Sequence, residues 1–138
     1  MAENKTKPEA VPVASFIQTL EEKRKAEAET LIEMFQSITG YEPVMWGPSI
    51  IGFGSYDYRY ESGRTGTSLR MGFSPRKAAL VIYVVPGFVG LEQELRAIGP
   101  HRHEKSCLYI KSLSKMNLPA LKALATKVWD MMAQNYPR

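Results

Sequence analysis

Apolar positions recur along this chain with two different periods, and the change from one to the other marks its main elements. Across residues 21–38, Ala28, Leu31, Ile32, Phe35 and Ile38 follow one another at helical spacing, the buried stripe of an amphipathic helix. Gly40 follows as the expected stop. Ahead of it, Val13 to Leu20 predicts a short helix with Phe16, Ile17 and Leu20 on one side. Residues 1–12 are polar, contain two prolines and lack either period, so they are expected to be a disordered lead-in. Residues 13–138 are read as a single domain.

The period then shortens to two. Ile50 to Tyr60 predicts a strand entered through a rigid Trp46-Gly47-Pro48 turn. Its Ile51 and Phe53 point to one face and Tyr56, Tyr58 and Tyr60 to the other, because strand side chains alternate. A turn-rich loop, ESGRTGTS, comes next. Leu69 to Phe73 and Ala78 to Val85 predict a hairpin around Ser74-Pro75-Arg76-Lys77, with proline suited to the turn. The second arm is continuous and β-branched, as a central strand should be.

Pro86-Gly87 stops that strand, Leu91 to Ile98 predicts a short helix, and Cys107 to Leu113 the last strand. The final helix has Asn117 as N-cap, Pro119 in its first turn, and Leu121, Leu124, Ala125, Val128 and Met132 as its stripe. The order α-α-β-β-β-α-β-α uses hairpins in place of repeated crossovers. It predicts an α+β fold, a mostly antiparallel sheet packed against N-terminal helices and a C-terminal helix.

Composition changes this picture little. With 138 residues, 44% hydrophobic and 23% charged, the chain is ordinary for a globular domain. Its single cysteine, Cys107, excludes an internal disulfide and suits a reducing compartment. No apolar run approaches the ~18 residues of a membrane span, and the polar start has no signal-peptide core. The expected location is cytoplasmic, without a membrane partner.

Charge changes it more. Residues 1–58 hold five Lys/Arg against nine Asp/Glu, whereas residues 59–127 hold twelve against four. A local excess of eight positive charges can form a face for phosphates, nucleic acid or an acidic partner, or simply a solvated surface of dispersed lysines.

The segment Gly99-Pro-His-Arg-His-Glu-Lys-Ser106 places Lys105 and Ser106 where a phosphate-binding P-loop carries its lysine and hydroxyl. Glu104 stands in place of the second glycine and a strand, not a helix, follows, so the backbone cradle is missing. His101, His103, Glu104 and Cys107 match no structural zinc spacing. The segment reads as a polar loop, and Cys107 as a small buried hydrophobe. No nucleophile elbow or H-E-x-x-H motif is present, and the GFG at 52–54 is too short for a dinucleotide fingerprint. Glu22, Glu27, Glu29 and Glu33 alternate with Lys23, Arg24 and Lys25 as a solvated helix face does. No catalytic residue, resident metal or cofactor is read from the sequence.

What remains is a basic-aromatic set: Trp46, Arg76, Lys77, Tyr83, Lys105 and Lys111. An antiparallel sheet can gather these at strand ends into a pocket for an anionic or aromatic ligand. Charge from the cations and stacking from the rings is also the combination used by single-stranded nucleic-acid binders. Trp46 is equally suited to a core position.

W-G-P-S-I-x-G-F-G-x-Y from Trp46 to Tyr56, G-F-S-P-R-K from Gly72 to Lys77 and K-S-C-L-Y-I-K from Lys105 to Lys111 resemble the YdhG-like family of small bacterial domains of unknown function. The resemblance spans roughly Val13 to Tyr136 and implies an α+β fold with helices against an antiparallel sheet. It carries over Trp46, Gly47, Pro48, Phe73, Pro75, Arg76, Lys77, Lys105 and Lys111, while Glu104 stands where many relatives have glycine. Some members are described as frataxin-like iron chaperones, which implies clustered carboxylates because iron ions prefer oxygen ligands. The expected function is therefore a non-catalytic binding or interaction module for a small anionic ligand or acidic partner, with nucleic acid a further partner. The alternatives are an iron-binding chaperone and an unrecognised enzyme.

Overall fold

The computed structural model describes residues 11–59, 63 and 65–137. Two N-terminal helices, α1 (Val13–Ile17) and α2 (Glu22–Thr39), lead into strands β1 (Val44–Trp46), β2 (Ile50–Arg59), β3 (Thr65–Pro75) and β4 (Leu80–Tyr83). Helix α3 (Glu92–Ile98), strands β5 (Arg102–Glu104) and β6 (Cys107–Ile110), a 3-10 turn (Leu113–Lys115) and helix α4 (Leu118–Asn135) complete the order. The strands form one antiparallel sheet in the order β1-β2-β3-β4-β6-β5. This is the expected α+β architecture, with two strands more than the sequence pattern predicts.

Both additions are three-residue edge strands. Val44–Trp46 pairs with Ile50–Gly52 through the Gly47-Pro48 turn, so the segment read as a rigid entry is itself sheet. Arg102–Glu104 pairs with Cys107–Tyr109, so the segment read as a polar loop is half of a hairpin. Its strand is exposed throughout and therefore carries no apolar alternation. The residues 1–10, and with them most of the expected disordered lead-in, lie outside the described residues, as does Tyr60.

Register divides the sheet into two faces. Ile51, Phe53, Met71, Phe73, Leu80, Ile82, Leu108 and Ile110 point to the helices and share one buried cluster with residues of all four helices. Phe35 of α2 meets Phe53 and Phe73 edge-on, each at 5.7 Å between ring centroids, a favoured aromatic geometry. Asn117 caps α4 as expected, its side chain accepting from Ala120 N–H at 3.1 Å. Lys127 Nζ donates to Gly90 O and pairs with Glu94, tying α4 to α3. A hydrogen bond from Glu94's own backbone, reinforced by Lys127, holds its carboxyl below the usual range against the effect of burial. That contribution is present above the ordinary carboxylate pKa and is lost as acid protonates Glu94.

The strand faces do not run unbroken. Gly54 sits at φ +70°, a left-handed conformation that suits glycine, and the ladder passes from Phe53–Met71 to Ser55–Leu69. Beside this kink Arg70 turns under α4, donating to Ser55 O at 2.8 Å and to Met132 O and Tyr136 O. Its charge is thus buried against the carbonyl end of a helix, where the backbone dipole favours a cation. Tyr56 packs on Tyr136 with centroids 4.4 Å apart, and Tyr58 lies over Gly66. Tyr56 and Tyr58 of β2 are therefore engaged in packing.

The strongest polar tie joins α2 to the sheet. Arg24 donates to Arg76 O at 2.9 Å, to Lys111 O at 3.1 Å and to Lys77 O at 3.3 Å. It also pairs with Glu27 at 2.6 Å, and the other Glu27 oxygen accepts the Leu113 N–H at 2.8 Å. Arg24 and Glu27, read from sequence as part of a solvated face, are instead largely buried, with side chains 13% and 8% exposed. Glu27→Ala leaves the largely buried Arg24 without its counter-charge and the Leu113 N–H without its acceptor, and should cost about 3 kcal/mol. Urea unfolding at constant m-value measures this; a loss below about 1 kcal/mol would show that the pair does not hold the helix to the sheet.

Candidate anion site on the open sheet face

The face of the sheet opposite the helices carries the chemistry. By register, Trp46, Gly52, Gly72, Val81, Tyr83, Cys107, Tyr109 and Arg102 belong to it. Near β1 this face is closed. The Trp46 ring lies so near Gly52 that an added Cβ would come within 2.5 Å of it, and Trp46 is only 2% exposed. Trp46 is thus a buried cover for two glycine-lined strands, not the wall of a ligand site.

The β4-β6-β5 end is different. A cavity of about 530 Å³ opens there, within the size range of small-ligand sites. Ala78 and Ala79, which lead into β4, make a small-residue wall, and Pro100 and His101 bring the chain in from α3. Arg102 of β5 faces Tyr109 of β6 across the hairpin, its guanidinium carbon 4.1 Å from the ring centroid, a cation–π contact. Lys111 follows the end of β6, and Lys115 comes from the 3-10 turn. The lining contains three basic side chains, Arg102, Lys111 and Lys115, and no carboxylate.

Two orientations within the site are set by neighbours. The His101 Nδ1 lies 2.8 Å from Gly99 O, so it serves as the donor in that contact and Nε2 is left as the other ring nitrogen. The Tyr109 hydroxyl is pushed above the usual phenol range, first by its hydrogen bond with Cys107, then by the Cys107 charge, burial and Glu104, with Arg102 opposing. It is therefore a neutral O–H at neutral pH, able to donate to an anion.

Of the residues expected to form a site, Lys111 lines this cavity. Arg76 and Lys77 lie at the same end of the sheet, since the Arg24 guanidinium binds their carbonyls and that of Lys111. Arg76 also donates to the Tyr83 hydroxyl at 3.1 Å on the open face. Lys105 does not join them. It occupies the turn between β5 and β6, at the opposite end of β6 from Lys111. Cys107, expected to be buried, is half-exposed on the open face.

The sequence pattern did not single out Arg102, Tyr109, Lys115 or His101 as a site. The available signal was the two-residue spacing between Lys105-Ser106 and its flanks, a hairpin without the usual Gly or Asn. Among the described residues no three His, Cys, Asp or Glu side chains gather as metal ligands; His101 and His103 stack at 5.8 Å, and His103 lies against Phe88 at 4.4 Å. No helix of the described residues is long and apolar enough to cross a membrane.

Compared with family models, curated proteins and solved structures, the chain matches none. Lys105 itself is left-handed, at φ 52°, a conformation costly for a side chain with a Cβ. Lys105→Gly should raise stability by up to about 1 kcal/mol, the relief of strain being partly offset by glycine's greater unfolded entropy. It should leave anion binding at the cavity unchanged, which calorimetric titration of wild type and variant checks.

Proposed function

We propose that the chain is a non-catalytic binding module whose ligand is a small organic anion, a phosphate-bearing molecule of about nucleotide size. The observation that carries this reading is the convergence of Arg102, Lys111 and Lys115 on one cavity whose lining has no acidic residue. Cations from three separate elements at one opening raise the local potential for anions. Arginine adds a planar fork suited to phosphate oxygens, and Tyr109 supplies both an apolar ring and a hydroxyl donor. Ala78, Ala79 and Pro100 leave room for an uncharged portion of the ligand.

One of the sequence motifs that resemble YdhG-like domains, Lys105 to Lys111, accords with this reading, since Tyr109 and Lys111 of the lining belong to it. The iron-chaperone alternative has no carboxylate cluster behind it among the described residues.

Titration with inorganic phosphate, adenosine monophosphate and adenosine diphosphate tests the proposal. Wild type should bind the nucleotides, and affinity should fall with salt as the screening length shortens to ~8 Å at physiological ionic strength. In the Arg102→Gln/Lys111→Gln/Lys115→Gln variant, affinity should drop at least about tenfold, the equivalent of 1.4 kcal/mol, with circular dichroism unchanged. Equal binding by both proteins, or none by wild type, overturns the assignment.

A further inference from the structure

We infer that the open sheet face extends this cavity into a track for single-stranded nucleic acid, a proposal that rests on the anion site just described. Two tyrosines define the track. Tyr109 of β6 pairs with Val81 of β4, and Tyr83 of β4 pairs with Cys107 of β6. The two rings are therefore diagonal neighbours on adjacent strands of one face, about 7–8 Å apart at the backbone. Val81 between them is 1% exposed, while both tyrosines are half-exposed.

Each ring has its own guanidinium. Arg102 lies over Tyr109 at 4.1 Å, and Arg76 reaches the Tyr83 hydroxyl at 3.1 Å. A tyrosine beside an arginine thus occurs twice across the sheet, by a ring-face contact within the cavity and by a hydroxyl hydrogen bond beyond it. A single small anion uses only the first. The second is accounted for by a ligand that repeats, with a π-face and a negative charge in each unit.

Single-stranded nucleic acid has that repeat. Its bases stack on aromatic rings and guanidinium planes, and its phosphates follow basic grooves without need of sequence. Charge complementarity favours it on this face, where Arg102, Lys111 and Lys115 line the cavity, Arg76 reaches Tyr83, and Glu104, paired with Cys107, adds one opposing charge at the β5 edge. A duplex keeps its bases stacked inside and offers the tyrosines no π-face. An acidic peptide meets the cations but leaves the rings without stacking partners.

Adenosine monophosphate, oligo-deoxyadenylates of two, four and six nucleotides, a duplex of matching length and a short polyglutamate separate these cases by calorimetry and dye-label anisotropy. Wild type should bind the four-nucleotide strand at least about tenfold more tightly than the monophosphate, within the range of one stacked base. Its log–log salt slope should steepen by about 0.7 for each further phosphate engaged.

Arg76→Gln/Tyr83→Leu should bring the tetranucleotide close to the affinity of the monophosphate while leaving the monophosphate unchanged. Arg76→Gln alone should give part of that loss, which guards against a packing defect at Tyr83. The Arg102→Gln/Lys111→Gln/Lys115→Gln variant should weaken both ligands. A tetranucleotide no tighter than the monophosphate, a duplex bound as well as the single strand, or polyglutamate bound more tightly than either overturns the track and leaves the cavity standing. Failure of the monophosphate to bind wild type overturns both.

Discussion

The Arg24–Glu27 pair is the constraint on which the arrangement of this protein turns. At the end of the sheet where β3 hands over to β4 and β6 runs out, three carbonyls and one N–H emerge without strand partners. The Leu113 N–H is buried, and a buried backbone group without a partner costs about as much as a lost hydrogen bond. Arg24 meets the three carbonyls and Glu27 the N–H of Leu113, and their mutual pairing neutralises the two charges in place. One turn of α2 thereby fixes the β3–β4 turn, the end of β6 and the start of the 3-10 turn. Lys111 directly follows β6 and Lys115 ends the 3-10 turn, so the rim of the proposed anion site is held by a helix on the opposite side of the sheet.

The same division of labour explains why the other face can remain open. All four helices contribute to one cluster, so the hydrophobic core needs only one side of the sheet. On the reverse side Trp46 over Gly52 and Leu69 beside Gly72 close the β1–β3 half with very little material. The remaining half, β4-β6-β5, carries the cavity and its basic and aromatic lining. The kink at Gly54 serves this economy at the far end, since it turns Arg70 to the terminal carbonyls of α4.

How much of this was legible in the sequence follows from the range over which each feature is determined. The stripes of α2 and α4, the Asn117 cap and the central strands depend on neighbours three or four residues away, and their spacing reveals them. β1 and β5 have three residues each and draw their pairing from the next strand, so no local period announces them. The site lies beyond local reach as well. Arg102 meets Tyr109 only because a two-residue turn sets their register, with Lys105 taking a left-handed φ that sequence rules reserve for Gly or Asn. Lys105 looked like a site residue because it is basic and near a strand. The register that joins Arg102 to Tyr109 is what carries Lys105 to the other end of β6. Trp46 was ambiguous by composition, and the glycine beneath its ring decides for packing.

A simpler account of the basic groups has to be weighed against a binding site. Edge strands are commonly armed with charges that deter pairing with other chains, and β5 is an edge strand exposed at every residue. That account explains Arg102, His103 and Glu104 as a mixed, solvated edge. It does not explain Lys111 and Lys115, which lie off the strand, nor why the lining they share with Arg102 excludes every acidic side chain. Exposed as they are, Arg102 also lies over the Tyr109 ring and Arg76 donates to the Tyr83 hydroxyl. Edge protection needs charge alone, of either sign and in any orientation. Arg102, Lys111 and Lys115, of one sign and from three elements, are gathered around one cavity, an order that edge protection does not call for and that the proposed anion site does.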